Sequence, residues 1–469
     1  MIGIGIDFGT SNSAAAWYDG ERVTLVRLEA SGEIMPTATH LDRQLHPRTG
    51  EAAVTQYIEE NRDRVVEMTP EVVGKGQLLV SEGNPENPNS EAEVVTENVY
   101  GQAVIDRGLP GRLFRGVKRL LANPSIKRLM VFEHPFRLVA LITPVLLHIR
   151  RCLEEQIPEP IGDIHLGHPV RFEGQSGNKL GLERLGEACK HAGFNHLTFF
   201  PEPVAATLSF LRDDTAPRQG KVLALDFGGG TLDLSVVEFH GVDFKVLATS
   251  GLSLGGDHVD QLIFRRLLFP LLGKGETWSR IRDGQLIENE FPFEEFEDKL
   301  LNWAVTYTLN QNHYRAKIAD CIKQGGPAAE KFSRLDDLIT HNYSYIVFQE
   351  IKEAKAALSS EEETVLDIPE LDISLTITRS QLETMMADML KDIDDVLHEV
   401  VKAAGLSQED IDFVIRTGGS SQIASVRRML DQKFPGKVTQ HDPFTSVAAG
   451  LAIASYHGYE FSEAKIPAE

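Results

Sequence analysis

One short pattern occurs twice, once in each half of the chain: Asp7-Phe8-Gly9-Thr10-Ser11-Asn12-Ser13 and Asp226-Phe227-Gly228-Gly229-Gly230-Thr231-Leu232-Asp233. In both, an apolar run stops at the aspartate, a turn rich in glycine and hydroxyls follows, and a second run resumes. That order reads as a β-hairpin. Glycines lack a Cβ, so their backbone N–H groups can approach phosphate oxygens, and a carboxylate just before the turn can hold hydrated magnesium against them. Either copy alone is as well read as a tight turn with a local aspartate cap. The two together point to duplicated lobes that clamp one triphosphate.

Two commoner phosphate-binding signatures are absent. The Gly-Lys pairs at 74, 220, 273 and 436 have Thr69, Thr215, Leu268 and Asp431 where the first glycine of a P-loop belongs. Gly3 and Gly5 begin a dinucleotide fingerprint, but Phe8 stands at its third glycine and the next element reads as a strand. The net charge of −22 repels nucleic acid and anionic lipid, so neither is an expected partner. Cys152, Cys189 and Cys321 are too far apart in sequence for a disulfide framework or a paired-thiol zinc site. The N-terminus lacks a basic flank and meets Asp7 at once, unlike a secretory signal. The longest mostly apolar run, 138–147, contains Pro144 and falls well short of the ~20 residues that span a bilayer. A cytoplasmic location is expected, and the glycosylation pattern Asn342-Tyr343-Ser344 is then a chance match.

Along the chain, residues 1–28 read as a β-meander and residues 30–136 as less regular, with a mobile insertion loop at 81–93. Helices are expected at 136–156 and 178–192 around a strand at 161–166. The opening architecture then repeats from Val222. Residues 257–358 read as helical, and two short strands follow at 364–378. A helix at 380–404, a strand at 411–416 and helices at 421–433 and 443–456 close the chain.

With its two turns, the chain resembles the actin-like ATPase superfamily, and within it the nucleotide-binding domain of the seventy-kilodalton heat-shock chaperones. Further segments carry the resemblance in order: Gly116-Val117-Lys118-Arg119-Leu120-Leu121, Pro201-Glu202-Pro203-Val204-Ala205-Ala206, Leu254-Gly255-Gly256-Asp257, Glu353-Ala354-Lys355-Ala356-Ala357-Leu358-Ser359-Ser360, Ile377-Thr378-Arg379 and Arg416-Thr417-Gly418-Gly419-Ser420-Ser421. The resemblance implies an α/β fold with ribonuclease H-like duplicated lobes, each of two subdomains, around a central nucleotide cleft. Lobe I would occupy 1–217, with core 1–35 and 137–217 and an inserted subdomain at 36–136. Lobe II would occupy 218–469, with core 218–256 and 346–440 and an inserted helical subdomain at 257–345. The final helix, 443–456, would pack back across the lobes.

The same resemblance implies roles. Asp7 and Asp226 would hold magnesium through water. Gly9, Thr10, Ser11 and Asn12 in one loop, and Gly228, Gly229, Gly230 and Thr231 in the other, would bind the phosphates of ATP or ADP. Lys118 would place a positive charge near the γ-phosphate, and Glu202 would orient or deprotonate the attacking water, with Asp233 in the same shell. Gly255, Gly256, Lys355, Ser359, Gly418, Gly419 and Ser420 would line the adenosine side. The chain also departs from the family pattern: Lys352 stands at a glutamate that contacts ribose, Phe444 at an aspartate near adenine, and His168-Pro169 at a Val-Pro pair. Residues 183–194 and the ending at Glu469 resemble the short bacterial YegD-like branch.

The expected function is a slow, chaperone-like ATP switch that reports nucleotide state to a protein partner or co-chaperone. No hydrophobic linker or sandwich-plus-lid segment follows Tyr456, so no built-in peptide-binding domain is expected. A filament-forming actin relative and a small-molecule kinase are the alternatives, the latter needing Asp233 or Asp257 as a substrate-side base. Trp278, Phe291, Phe293 and Phe296 read as core of the helical insertion, with one or two surface aromatics sufficient to anchor a partner.

Overall fold

The computed structural model describes residues 2–81, 93–106, 108–170, 172, 177–211, 219–241, 243–282, 285–440 and 445–461. Phe444 and nearly all of the expected 81–93 loop lie outside them.

Two sheets share one strand order. In the first, Gly3–Phe8 pairs antiparallel with Asn12–Tyr18, which pairs with Val23–Leu25. On its other side Gly3–Phe8 takes Ile164–His168 and then Leu197–Pro201 in parallel. In the second, Gln219–Phe227 pairs antiparallel with Leu232–His240, followed by Asp243–Leu252. Its other side takes Phe413–Thr417 and Val438–Gln440 in parallel. A three-stranded meander extended by two parallel strands has therefore been built twice, and each meander opens with an Asp-Phe-Gly hairpin.

Alternation along Gly3–Phe8 explains how the first sheet is covered. Ile4, Ile6 and Phe8 enter a core with the helix Leu138–Gln156, whose Leu138, Leu141, Ile142, Val145, Ile149 and Leu153 recur at helical spacing. Gly3 and Gly5 point the other way, onto the helix Ser446–His457. A Cβ on either would stand 2.2 Å from the Ala452 carbonyl oxygen or 2.3 Å from that of Ala448. The Gly-x-Gly that mimics a dinucleotide fingerprint thus serves close packing of a helix on a strand.

The helix Ser446–His457 is apolar almost all round because it is covered on several sides. It meets the helix Glu202–Phe210 so closely that a Cβ on Gly450 would lie 1.8 Å from the Ala205 carbonyl oxygen. These two helices form one core with Ala14, Ala16 and Tyr18 of the first sheet and Val222, Val237, Phe239 and Ile415 of the second. The sheets are therefore joined through a pair of closely packed helices, and the two hairpin turns face a common space.

Two segments are strands where the sequence reading had none. Met68–Ser81 pairs antiparallel with Glu93–Asp106, and Thr277–Arg282 pairs with Gln285–Glu290 inside the segment expected to be helical. The aromatics of the helical insertion are core as read: Phe291, Phe293 and Phe296 are buried, and Trp278 is partly buried, edge-on against Phe291. Asn342 and Ser344 are buried too, so the glycosylation pattern is inaccessible. Among the described residues no helix is long and apolar enough to cross a membrane, and all three cysteines are free.

Candidate functional site

The two turns meet at a cavity of about 420 Å³. In the first hairpin Phe8 pairs with Ser13, leaving Gly9 to Asn12 as the loop. In the second Phe227 pairs with Leu232, leaving Gly228 to Thr231. The second loop is tied from three sides: Gly228 N–H donates to the Thr231 carbonyl at 3.0 Å, Asp257 N–H donates to the Gly229 carbonyl at 2.7 Å, and the Ser420 hydroxyl donates to the Gly228 carbonyl at 2.9 Å. With those carbonyls occupied, the loop is held in one shape before any ligand arrives.

Close approach, rather than flexibility, is what several glycines provide. A Cβ on Gly229 would lie 3.2 Å from Ser11 Oγ of the opposite hairpin, and one on Gly230 would overlap the Arg119 guanidinium. Gly418 has φ +77°, and a side chain there would strike the Phe227 carbonyl at 2.4 Å and the Asp226 carboxylate at 2.5 Å.

Lys118 reaches this space from the short helical turn Val117–Leu120, which follows Gly116 in the left-handed region at φ +65°. Its Nζ lies 2.7 Å from Glu202 Oε1, and Glu202 opens the helix Glu202–Phe210. Lys118 is buried, as a solvated helix lysine would not be. Burial opposes its ammonium, but Glu202 and Asp7 outweigh that effect and hold its pKa above the ordinary lysine value. Around the pair stand Asp7, Asp226 and Asp233. Burial, then the Glu202 charge, push the Asp7 carboxyl up to about 8 against the pull of Lys118. Burial, then Asp233 and Glu202, push Asp226 up to about 7. Thr231 Oγ1 donates to Asp233 Oδ2 at 2.9 Å. Four carboxylates thus face one ammonium, a balance suited to a hydrated divalent cation and to phosphate chemistry that depends on it. Among the described residues no group of three or more ligating side chains converges tightly enough to cage a bare metal ion.

Gly256, Lys355, Ser359, Gly418, Gly419 and Ser420 also line the cavity. Lys355 pairs with Asp260 at 2.5 Å and donates to the Gly256 carbonyl at 3.1 Å. Every residue to which the sequence gave a magnesium, nucleotide or catalytic role lines this cavity except Gly255. That glycine lies beneath the second loop, where a Cβ would meet the Gly229 carbonyl oxygen at 2.3 Å, and its N–H donates to His258 Nδ1 at 3.0 Å. Asp257, which the sequence reading placed on the nucleotide side, lines the cavity, and so do Arg115, Arg119, Asp260 and Thr417, to which that reading gave no binding role. Arg119 and Thr417 could have been found as neighbours of chosen residues within their motifs. For Arg115 no local pattern existed, since it is brought to the cleft by the pairing of Gly111–Arg115 with Ala38–Asp42.

A family model described as Hsp70 protein matches residues 132–271 and 337–456, together more than half of the chain. The matched segments contain Glu202, the second hairpin, Lys355 and the Gly418 turn. The first hairpin and Lys118 lie outside them, and the fold brings both into the same cavity.

Proposed function

The chain belongs to the Hsp70 family, which has the actin-like ATPase fold and whose members are chaperone-type ATPases, and from that premise we propose that this protein binds Mg-ATP between its two lobes, hydrolyses it slowly and passes its nucleotide state to a protein partner by lobe rotation. The observation that carries this reading is the Lys118–Glu202 pair at 2.7 Å, set between two Asp-Phe-Gly hairpins and their carboxylates.

Loop N–H groups of Gly9 to Ser11 and Gly228 to Thr231, with the Thr10, Ser11 and Thr231 hydroxyls, suit the oxygens of a triphosphate. Magnesium, when bound, would neutralise phosphate charge and carry the waters that Asp7 and Asp226 hold. Glu202 is placed to accept a proton from, or orient, a water aimed at the terminal phosphorus. Lys118 holds Glu202 in place and offers its charge to the phosphate oxygens as negative charge develops there. Nothing in such a site must form a covalent bond, so catalysis reduces to position and charge.

The closely packed helices Glu202–Phe210 and Ser446–His457 support the signalling part of the reading. They join both sheets, and the first carries Glu202 itself, so a change at the phosphate end bears on the hinge. The test is a titration of the protein with Mg-ATP and Mg-ADP, followed by single-turnover hydrolysis. Binding of both nucleotides, and conversion of ATP to ADP and phosphate, are expected. Absence of nucleotide binding in the folded protein would overturn the proposal.

A further inference from the structure

Arg119 belongs to the short turn Val117–Leu120 that carries Lys118, and its own N–H donates to the Gly116 carbonyl at 3.1 Å. The two cations part from there. Lys118 turns to Glu202, whereas the Arg119 side chain crosses to the second hairpin, and both line the one cavity. A Cβ built on Gly230 would stand 1.4 Å from Arg119 Nη2, 2.7 Å from its Cζ and 3.5 Å from its Nε, the three nearest atoms beyond the glycine's chain neighbours.

The backbone itself does not demand a glycine at 230. Its φ lies outside the left-handed region, and none of those nearest atoms belongs to its own turn. Gly9 of the first hairpin is the opposite case, since a Cβ there would meet the Asn12 carbonyl oxygen of the same loop at 2.2 Å. Gly230 therefore lacks a side chain for the sake of one guanidinium that arrives from the other half of the chain.

That seat is chemically specific. A guanidinium is planar, permanently charged and carries five donors in a fixed fork. Laid on the loop Gly228 to Thr231, it stands beside backbone N–H groups suited to phosphate oxygens and adds positive charge to a cavity that also holds Asp7, Glu202, Asp226 and Asp233. Because Arg119 comes from the first half and Gly230 from the second, the seat is occupied only while the two halves are closed on each other.

We propose that Arg119 is a phosphate-binding residue of the cleft: seated on Gly230, its guanidinium holds a phosphate group of the bound nucleotide against the second hairpin, and it supplies that contact only in the closed arrangement. This rests on the nucleotide reading above and adds to it a residue which that reading does not use.

The experiment is calorimetric titration with Mg-ATP of the full chain as wild type, Arg119→Ala, Gly230→Ala and the double variant, each first checked for folding by circular dichroism. Arg119→Ala is expected to weaken Mg-ATP about tenfold or more, as befits a lost charge-assisted contact. Gly230→Ala keeps the arginine but unseats it, and should weaken Mg-ATP by a similar factor. The double variant should bind no more weakly than Arg119→Ala, because without the arginine the new methyl has only ordinary contacts. Guanidinium chloride at a low, non-denaturing concentration should restore part of the affinity of Arg119→Ala and none in the double variant, whose seat is filled, while sodium chloride at the same concentration restores neither.

Additive losses in the double variant overturn the proposal, and so does an Arg119→Ala protein that binds Mg-ATP within about twofold of wild type. A loss that guanidinium does not restore overturns it as well, since the arginine would then be a tie between the lobes and no ligand to phosphate. Where Gly230→Ala does not fold, the guanidinium test on Arg119→Ala decides alone; where Arg119→Ala does not fold, Arg119→Gln takes its place. Failure of the wild-type protein to bind Mg-ATP or Mg-ADP overturns the nucleotide reading itself, an outcome distinct from binding that ignores Arg119.

Discussion

The two hairpins have one backbone plan and different chemistry. Asp7 faces Ala14 across the first, while Asp226 faces Asp233 across the second. The glycines divide in the same way. Gly9 is required by its own turn, since a Cβ would lie 2.2 Å from the Asn12 carbonyl oxygen, whereas Gly229 and Gly230 are required by what crosses them, Ser11 and Arg119. Ala14 is buried in the core that joins the sheets, and Asp233 is exposed to the cleft. The first hairpin is thus a cradle anchored to the hinge. The second is a cradle with an extra carboxylate, tied at its carbonyls and set beside the Lys118–Glu202 pair.

The sharpest way to break this comparison is to fill the gap between the loops. Gly229→Val places branched carbons against Ser11, where phosphate oxygens would pass, and ATP binding is expected to fall below detection by calorimetry. Gly228→Ala, whose Cβ would have 3.7 Å to the nearest atom, should bind within a few-fold of wild type. Undiminished affinity in a folded Gly229→Val protein would show that the loops do not share one ligand.

Between the hairpins, Lys118→Ala and Glu202→Ala should each slow single-turnover hydrolysis by roughly 10²-fold while nucleotide remains bound. Lys118→Ala also leaves the four carboxylates without their ammonium, so its thermal stability should fall as well, whereas Glu202→Ala leaves Lys118 with Asp7 and Asp233. Hydrolysis at the wild-type rate with nucleotide bound would remove both residues from the mechanism.

Acidity gives a third and smaller separation. In the unfolded chain Asp7 and Asp226 ionise near 3.8, whereas in the folded protein they hold protons up to about 8 and about 7. Between those limits the folded state binds more protons, so stability decreases as pH rises from about 4 to about 8. Asp233 acts on Asp226 and is not among the charges acting on Asp7. Asp233→Asn should therefore flatten the fall in melting temperature without abolishing it, in nucleotide-free and magnesium-free buffer. An identical pH slope in the variant would mean that Asp233 does not set the acidity of the second hairpin.

What the sequence made legible follows the same division. Motifs built from consecutive residues carried their chemistry openly, because a turn brings its own glycines, hydroxyls and aspartate together. Gly255 shows the limit: adjacent glycines do not reveal which one faces a cavity and which supports it. Arg115 was hidden because its place depends on a strand pairing remote in sequence. The hairpin of Met68–Ser81 and Glu93–Asp106 was obscured by Pro70 and Gly74, and three of its four register shifts occur beside those residues. Thr277–Arg282 and Gln285–Glu290 flank Asp283-Gly284, a strong hairpin signal that was overlooked inside a mostly helical window.

The finest distinction between the hairpins is the hydrogen bond from Thr231 Oγ1 to Asp233 Oδ2 at 2.9 Å, for which the first hairpin, with Ala14 at the corresponding position, has no equivalent. If Asp233 aligns Thr231 toward the reacting phosphate, the bond should matter to the rate and little to affinity. Such a bond is worth about 1 kcal/mol, so Thr231→Val should lower the single-turnover rate about fivefold while ADP affinity stays within about twofold. Asp233→Asn keeps an acceptor oxygen and should cost less than Thr231→Val, since the hydroxyl can still donate to the amide carbonyl. The measurement is the ratio of the two variants' hydrolysis rates, with ADP titrations run alongside. A larger loss in ADP binding than in rate would make Thr231 part of the passive cradle, and the two hairpins would then differ in charge alone.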